Sequence, residues 1–560
     1  MLLDAEAAVD AGAPRQVRSP RVRHMRQILL WPLRLLPTED GDTAHRAPWH
    51  LLRELGDRSP WREVIDEYTG DREDFHERHY NEFVAFLPVV QRFLYGEGRS
   101  RRGVEDPEQR SPMRVFRRRD VSAVRIVPRP GDAPITLQIA HLDLYFFYDV
   151  DIVLLNVEVS ADDLSLDQAQ ELLYRFGRAY PPGWDARGHP LHCPHELEWL
   201  GHDGTVLTRS DARERDAFLA HLCEHRAPRV NAHWSWVLEP LVSHHSDAPG
   251  ALRYRQIEYY RMPMMAYLAL DDPRALDRAD FVRLALVTGG DGDAHDGRHL
   301  ADFETRYCYD RFWRDGGMAP NTRYLCNGHA LVVIGEAGSN FYACRDRGVL
   351  AQFRHQHFML FLIAHFQRAT LLMFSDRLVE ALRGLDVTRP SSIKHFKRQI
   401  REGFEQFLRF THRYWFHEVS DQAQVRALFE MCARHLGLDG LYREVKERIA
   451  DMNAYLDADS IRRQANTVVR LTVVTIFGLI GSVTTGFLGM NLLAEADAPL
   501  ERKLWIFAVV IAVTAGLTVY TIAKSKRLSD FLDAVSDDRL SPWAKLKSLA
   551  AVWLPIGREG

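Results

Sequence analysis

Two uncharged apolar runs lie close together late in the 560-residue sequence, Leu471–Leu488 and Leu504–Ala523. They hold 18 and 20 residues, and about 20 helical residues cross a hydrocarbon core about 30 Å thick. The expected arrangement is two transmembrane helices, at about 468–488 and 504–523, joined by an external loop over 489–503. Arg462, Arg463 and Arg470 precede the first run, and Lys524, Lys526 and Arg527 follow the second. The loop between them carries only Arg502 and Lys503, beside Glu495, Asp497 and Glu501. A Lys/Arg excess marks cytoplasmic flanks. A multi-pass protein of the plasma membrane (the inner membrane in a bacterium) is therefore expected, with both termini cytoplasmic.

Most of the chain is nevertheless of soluble character. Charged residues make up 26% and the net charge is −4. Lys and Arg number 72 against 76 Asp and Glu, and no basic block beyond the termini and Arg114–Arg119 offers a surface for nucleic acid. Cys193, Cys223, Cys308, Cys326, Cys344 and Cys432 show no framework spacing, which fits reduced cytosolic thiols. The apolar stretch Ile28–Leu36 is too short to span and is broken by Pro32 and Arg34, so it is neither a signal peptide nor an anchor. The arginines from Arg15 to Arg26 follow Asp4, Glu6 and Asp10, which argues against a transit peptide. No phosphate loop, dinucleotide fingerprint or nucleophile elbow occurs, and an enzyme is not expected.

Along the chain, residues 1–24 read as a disordered N-terminus and 25–350 as a cytoplasmic α/β domain with insertions. Ile135–Ala140, Leu144–Tyr148 and Val150–Val159 have the branched and aromatic content of strands. Leu166, Ala169, Leu172, Leu173 and Phe176 predict a helix over 166–180, capped by Ser165 with Gln168 and stopped by Pro181-Pro182-Gly183. Segments 96–120 and 181–235 read as loops or insertions. Residues 351–466 read as long helices: Phe358–Leu382 (buried, because His365, Gln367 and Arg368 break its apolar run), Ile393–Phe416, Gln422–Leu436 and a stalk. Leu441, Val445, Ile449, Met452 and Leu456 define one face of that stalk. No breaker intervenes before Gly478, so one helix is expected from Leu441 to Leu488, about 70 Å long. Residues 524–560 form a basic tail, in which Trp543, Leu546, Leu549, Val552, Trp553 and Leu554 suggest an interfacial helix.

The first span has a small and hydroxylated stripe. Val468, Thr472, Thr475, Leu479, Ser482, Gly486 and Gly489 recur every three or four residues, while Val473, Ile476, Phe477, Ile480 and Val483 fill other faces. In hydrocarbon such a stripe marks helix packing or a wetted face. At its outer end stands Gly489-Met490-Asn491. Two late spans joined by a loop that opens Gly-Met-Asn resemble the CorA family of magnesium channels.

That resemblance implies an α+β cytoplasmic domain, long stalk helices and two C-terminal transmembrane helices in a funnel-shaped homopentamer. It further implies Mg²⁺ as the transported ion and as a regulatory ligand, carried inward by the membrane potential, with Co²⁺ also accepted. It assigns the mouth to Gly489, Met490 and Asn491 and the pore lining to Val468, Leu471, Thr472, Thr475, Leu479, Ser482 and Gly486. Leu471-Thr472 and Ile476-Phe477 are similar to the family's Leu-Thr and Ile-Phe pairs, Ser482 falls at its hydroxyl ring, and Val468 and Leu471 at its hydrophobic constriction. Leu488 and Leu492 depart from the aromatic residues usual on either side, the mid-span proline is absent, and Asn466 lies one residue from an expected inner asparagine. Zinc-transporting relatives generally replace the Met.

The chemistry of those residues agrees with the expectation. Mg²⁺ gives up its waters reluctantly, so a ring of Asn491 carboxamides that accepts hydrogen bonds from those waters recognises the hydrated ion without trapping it. Glu495, Asp497 and Glu501 concentrate cations at the mouth. Asp451, Asp457 and Asp459 on the stalk are candidates for a regulatory metal site. The alternatives are a same-fold transporter preferring Zn²⁺, Co²⁺ or Ni²⁺, and a cytoplasmic enzyme tethered by the spans. Two other clusters are set aside: His189, His192, Cys193, His195, His221, Cys223 and His225 lack zinc-site spacing, and Asp291, Asp293 and Asp296 lack a calcium loop's offsets.

Overall fold

The computed structural model describes residues 20–36, 48–64, 77–96, 111–246, 252–257, 261–290, 300–386 and 389–489, and in the terminal helix 499–502, 504–510, 512–513, 515–517 and 520. The chain divides into two compact units, Met1–Ile449 and Ala450–Gly560.

Unit 1 is built on β1, Arg21–Leu36. From Met25 to Leu35 every side chain of this strand is buried, so both of its faces are covered. That explains why the segment reads as a continuous apolar run rather than an alternation. Along one edge it pairs antiparallel with β6, Val150–Ser165, from Arg21 to Arg34. Along the other it meets two partners in succession, β11 (Met264–Leu270) over Val22–Leu29 and β10 (Leu252–Gln256) over Leu33–Leu36. Pro32, which has no N–H to donate, falls in the gap between them, where a proline costs no ladder bond.

The strands expected at 135–140, 144–148 and 150–159 form two longer ones, β5 (Ile135–Phe147) and β6, paired antiparallel. Among the described residues fourteen strands join one sheet, whose main path runs β12 (Cys308–Tyr309), β13 (Arg323–Cys326), β14 (Ala330–Glu336), β11, β1, β6, β5, β4 (Val121–Val127), β7 (Glu196–Gly201) and β8 (Val206–Arg209). β3 (Met113–Arg118) pairs with β5. The helix after β6, α4 (Leu166–Arg175), carries the expected capping box, Ser165 accepting from the Gln168 amide and Gln168 from the Ser165 amide. The sheet and helices together make a mixed α+β unit.

Three differences from the sequence expectations follow. Residues Arg21–His24 lie in β1, not in a disordered terminus; residues 1–19 lie outside the described residues. Segments 96–120 and 181–235 contain β3, β7, β8 and the helices α5 (Arg215–His225) and α6 (Ala232–Leu238). Their charge hid them, because it is neutralised across strands: Arg117 pairs with Asp143 of β5, and Arg125 of β4 with Glu198 of β7. Finally, no boundary falls at 350. The helices α11 (Phe358–Arg383), α12 (Pro390–Arg413) and α13 (Ala423–Leu436) belong to the sheet's own unit, and α11 packs on β1 and β6 as well as on α12 and α13.

α11 is buried on nearly all sides. Within the described residues, Val349–Arg383 is the helical stretch long and apolar enough to cross a membrane, but 78% of its most apolar window is buried inside the protein. An all-round apolar helix of this kind suits a domain core. α13 ends at Gly437, whose φ of 66° turns the chain into α14, Leu438–Gly489. This single helix of 52 residues covers the expected stalk and first span. Val445 and Ile449 of the stalk face are buried in unit 1, and Met452 and Leu456 are half-buried in unit 2.

Candidate functional site

The expected pore stripe lies on one helix, α14, and on its uncovered face. Val468, Leu471, Thr472, Thr475, Leu479, Ser482, Gly486 and Gly489 are all exposed in the single chain, with Val468 at 61%, Leu471 at 66% and Leu479 at 64%. On the opposite side Val473 is buried and Val469, Val474, Phe477, Gly481 and Thr485 are half-buried. The helix thus has a less exposed side, centred on Val473, and an open side that carries the stripe, with Ile476 also open at 51%. Thr472 Oγ1 donates to Val468 O at 2.9 Å and Thr475 Oγ1 to Leu471 O at 2.8 Å. Each hydroxyl proton is therefore satisfied within the helix, while its lone pairs stay free to accept from water.

Gly489 is the last residue of α14. Met490, Asn491, Glu495 and Asp497 lie outside the described residues; Glu501 is exposed in the terminal helix. Asp451 and Asp457 are exposed on α14, and Asp459 shares that helix. Among the described residues no group of three or more His, Cys, Asp or Glu is arranged to hold a metal ion. The acidic loop 291–297 and the tail after Tyr520 lie outside the described residues.

A second constellation escaped sequence reading. In β6, Asn156 and Glu158 sit two residues apart and share one face of the sheet. Their cross-strand partners on β5 are Asp143 and His141, and Asp143 in turn faces Arg117 of β3. Arg26 of β1 reaches the same place. This polar patch lies where an apolar face would be expected, opposite the core formed by Leu155, Val157, Leu142, Leu144 and Phe116.

Over the patch lies a single π-helical turn, Phe353–His357, just before α11. Such turns cost hydrogen-bond geometry and are frequent at functional positions. Here it sends Arg354 to Glu158, Nε donating to Oε1 at 3.0 Å, while Arg26 Nη1 donates to the same oxygen at 2.5 Å. Arg117 grips Asp143 with two bonds, 2.7 and 3.0 Å. The next residue of the turn, His355, places Nδ1 2.8 Å from Glu82 Oε2, and Tyr95 Oη donates to the other Glu82 oxygen at 2.6 Å. Burial pushes the Glu158 carboxyl up, but Arg354, His141 and Arg26 outweigh it and hold the pKa below the usual value. Burial lowers His141, against the pull of Glu158 and Asp143.

These groups line a cavity of about 380 Å³. The signal for it was present in β6, where Asn156 and Glu158 interrupt a run of branched residues, but its other walls come from β3, β5 and the turn before α11.

Compared with family models, curated proteins and solved structures, the chain matches none.

Proposed function

We propose that this chain is one subunit of a CorA-like homopentameric channel that passes Mg²⁺ into the cytoplasm. The observation that carries the reading is Gly489-Met490-Asn491 at the junction of two apolar runs of spanning length. Further support comes from α14, which is unbroken from Leu438 to the Gly489 of that signature and leaves the Thr, Ser and Gly stripe uncovered. Five copies with this face inward would line a water-filled path with hydroxyl oxygens. The constriction would fall at Val468 and Leu471, and a ring of Asn491 would receive the hydrated ion outside. Membrane potential suffices as the driving force, because a doubly charged ion gains about 4.6 kcal/mol per 100 mV. The Lys/Arg flanks favour two spans with both termini cytoplasmic.

Ion flux into liposomes carrying the purified chain tests the reading. Mg²⁺ entry that follows an inside-negative potential supports it. Preference for Zn²⁺, Co²⁺ or Ni²⁺ would reassign the ion but keep the channel, and absence of flux for every divalent cation would leave the spans as tethers and remove the proposal.

A further inference from the structure

We propose that unit 1 binds a divalent transition-metal ion of the Zn²⁺, Ni²⁺, Co²⁺ and Cu²⁺ class through the imidazoles of His221 and His225 on α5 and of His245 in the bend after β9 (Leu241–Ser243). The proposal is independent of ion transport.

The helix supplies the first two ligands. His221 and His225 are four residues apart on α5, so their side chains share one face, one turn apart. That is the spacing at which a helix presents two imidazoles to one zinc ion. Cys223, two residues from each, falls on the opposite face and has no part in the set. The third ring was out of reach of any spacing in the sequence. It enters because the bend after β9 is pinned: Ser246 N donates to Ser243 O at 3.0 Å, His244 N to Tyr254 O at 2.9 Å, and Arg253 Nη1 to Ser246 O at 2.7 Å.

The separations suit coordination. The ring centres of His221 and His225 are 4.5 Å apart, and those of His225 and His245 are 5.4 Å apart. A metal–nitrogen bond of about 2.1 Å puts the centre of an imidazole about 3.2 Å from the ion, so two such rings stand about 4.5 Å apart at a right angle and about 5.2 Å apart at a tetrahedral angle. As they stand the donor atoms do not close round one point. All three rings are only half-buried, however, and side chains with access to solvent change rotamer within nanoseconds. Since the rings are already at these separations, closure asks for their rotation rather than for movement of the chain.

The nitrogens are also uncommitted. Among the described residues none of the three rings makes a hydrogen bond, and Glu224 Oε2, 3.7 Å from His225 Nε2, brings a counter-charge without engaging it. The guanidinium groups nearby are held elsewhere, Arg229 by Asp211 at 2.7 Å and Arg255 by Glu380 at 2.8 Å. Neutral imidazole suits Zn²⁺, Ni²⁺ and Cu²⁺, whereas Mg²⁺ and Ca²⁺ take oxygen ligands. The site therefore discriminates against the ion proposed for the pore.

The test uses the full chain in detergent, with Mg²⁺ in large excess so that sites for hard cations are filled. Zn²⁺ is titrated by calorimetry into the wild type and into His221→Gln, His225→Gln and His245→Gln. One Zn²⁺ site per chain should weaken about tenfold or more in each variant. Without Zn²⁺ the four proteins should melt together, and Zn²⁺ should raise the melting temperature of the wild type most. Hydrogen exchange on the wild type needs no variant, and there Zn²⁺ should protect the last turn of α5 and residues 243–246 together. Equal Zn²⁺ binding by the wild type and all three variants would mean an adventitious ion only and would overturn the proposal. So would no Zn²⁺ binding beside excess Mg²⁺, unchanged affinity in His245→Gln, or protection confined to one of the two segments.

Discussion

His233 sits on α6 at 1% exposure, and neither of its ring nitrogens has a hydrogen-bond partner. Burial lowers its pKa to about 3. His329 is lowered to about 4, by burial first and then by Arg368 and Arg261. Both are neutral when folded and take up protons when unfolded below about pH 6.5, so the stability they confer is complete above that pH and falls as pH drops toward their folded values. At pH 5 each should have cost about 2 kcal/mol. Glu171 behaves differently. It is clasped by Arg129 at 2.7 Å, Arg175 at 2.7 Å and Arg283 at 2.8 Å. Burial raises its pKa, the Arg129 and Arg175 guanidinium groups overcome that, and the result is about 2. Its contribution is present above about pH 4.5 and disappears as pH falls toward 2. Acid unfolding followed by denaturant titration at several pH values should therefore show a histidine phase before a carboxylate phase. His233→Leu should reduce the first by about 2 kcal/mol at pH 5 without touching the second, and Glu171→Gln should lower stability at pH 7 by about 2 kcal/mol. At the proposed mouth, Asn491→Ala should abolish or strongly reduce Mg²⁺ flux while the oligomer still assembles, since the carboxamide is needed only to recognise the hydrated ion. Wild-type flux in that variant would show that the signature does nothing here. Asn491→Asp should bind cations more tightly and conduct poorly, because capture without release stalls a pore.

At the level of elements, Ser165 is the clearest single support. Its hydroxyl accepts from the Gln168 amide at 3.1 Å at the start of α4, so Ser165→Ala should lower the denaturant midpoint by the equivalent of about 1 kcal/mol with the slope unchanged. That cap was legible in the sequence because capping is local, and so were α11, α13 and the whole of α14, whose apolar positions recur at helical spacing. β5 and β6 were legible in their centres from their branched and aromatic content. β1 was not, because a strand buried on both faces has no alternation, and Pro32 and Arg34 looked like interruptions. Arg34 is in fact held by Asp376 and Glu380 of α11, more than 300 residues away. β3 and β7 were missed for a related cause: Arg117 finds Asp143 only after 26 residues, and Arg125 finds Glu198 only after 73. Such pairing turns a charged segment into a strand, and no local window contains both partners. The pore stripe needed one helix to be seen, whereas the charged cavity needs the sheet register and the π-turn before its residues meet.

For the whole molecule, the proposed pentamer carries a prediction about its own control. α14 bears Glu444, Glu447, Asp451, Asp457 and Asp459, with Arg443, Lys446 and Arg448 among them. Glu444 is joined to Arg448 one turn on, and that pair is locally neutral. Asp451 and Asp457 are exposed farther along the same helix. If five such helices surround an axis, these acids approach their counterparts, like charges repel, and a divalent cation between neighbours favours the closed, symmetric arrangement. Shifting such an equilibrium from 1:99 to 99:1 takes about 5.5 kcal/mol of differential binding. In the proposed pentamer several ions would supply that jointly, with modest affinity each. Changing Asp451, Asp457 and Asp459 together to Asn should therefore raise flux at high internal Mg²⁺ while leaving flux at low internal Mg²⁺ near wild type. Inhibition by internal Mg²⁺ that persists unchanged in the triple variant would show that the stalk acids are only a solvated helix face, and would move the sensor into unit 1.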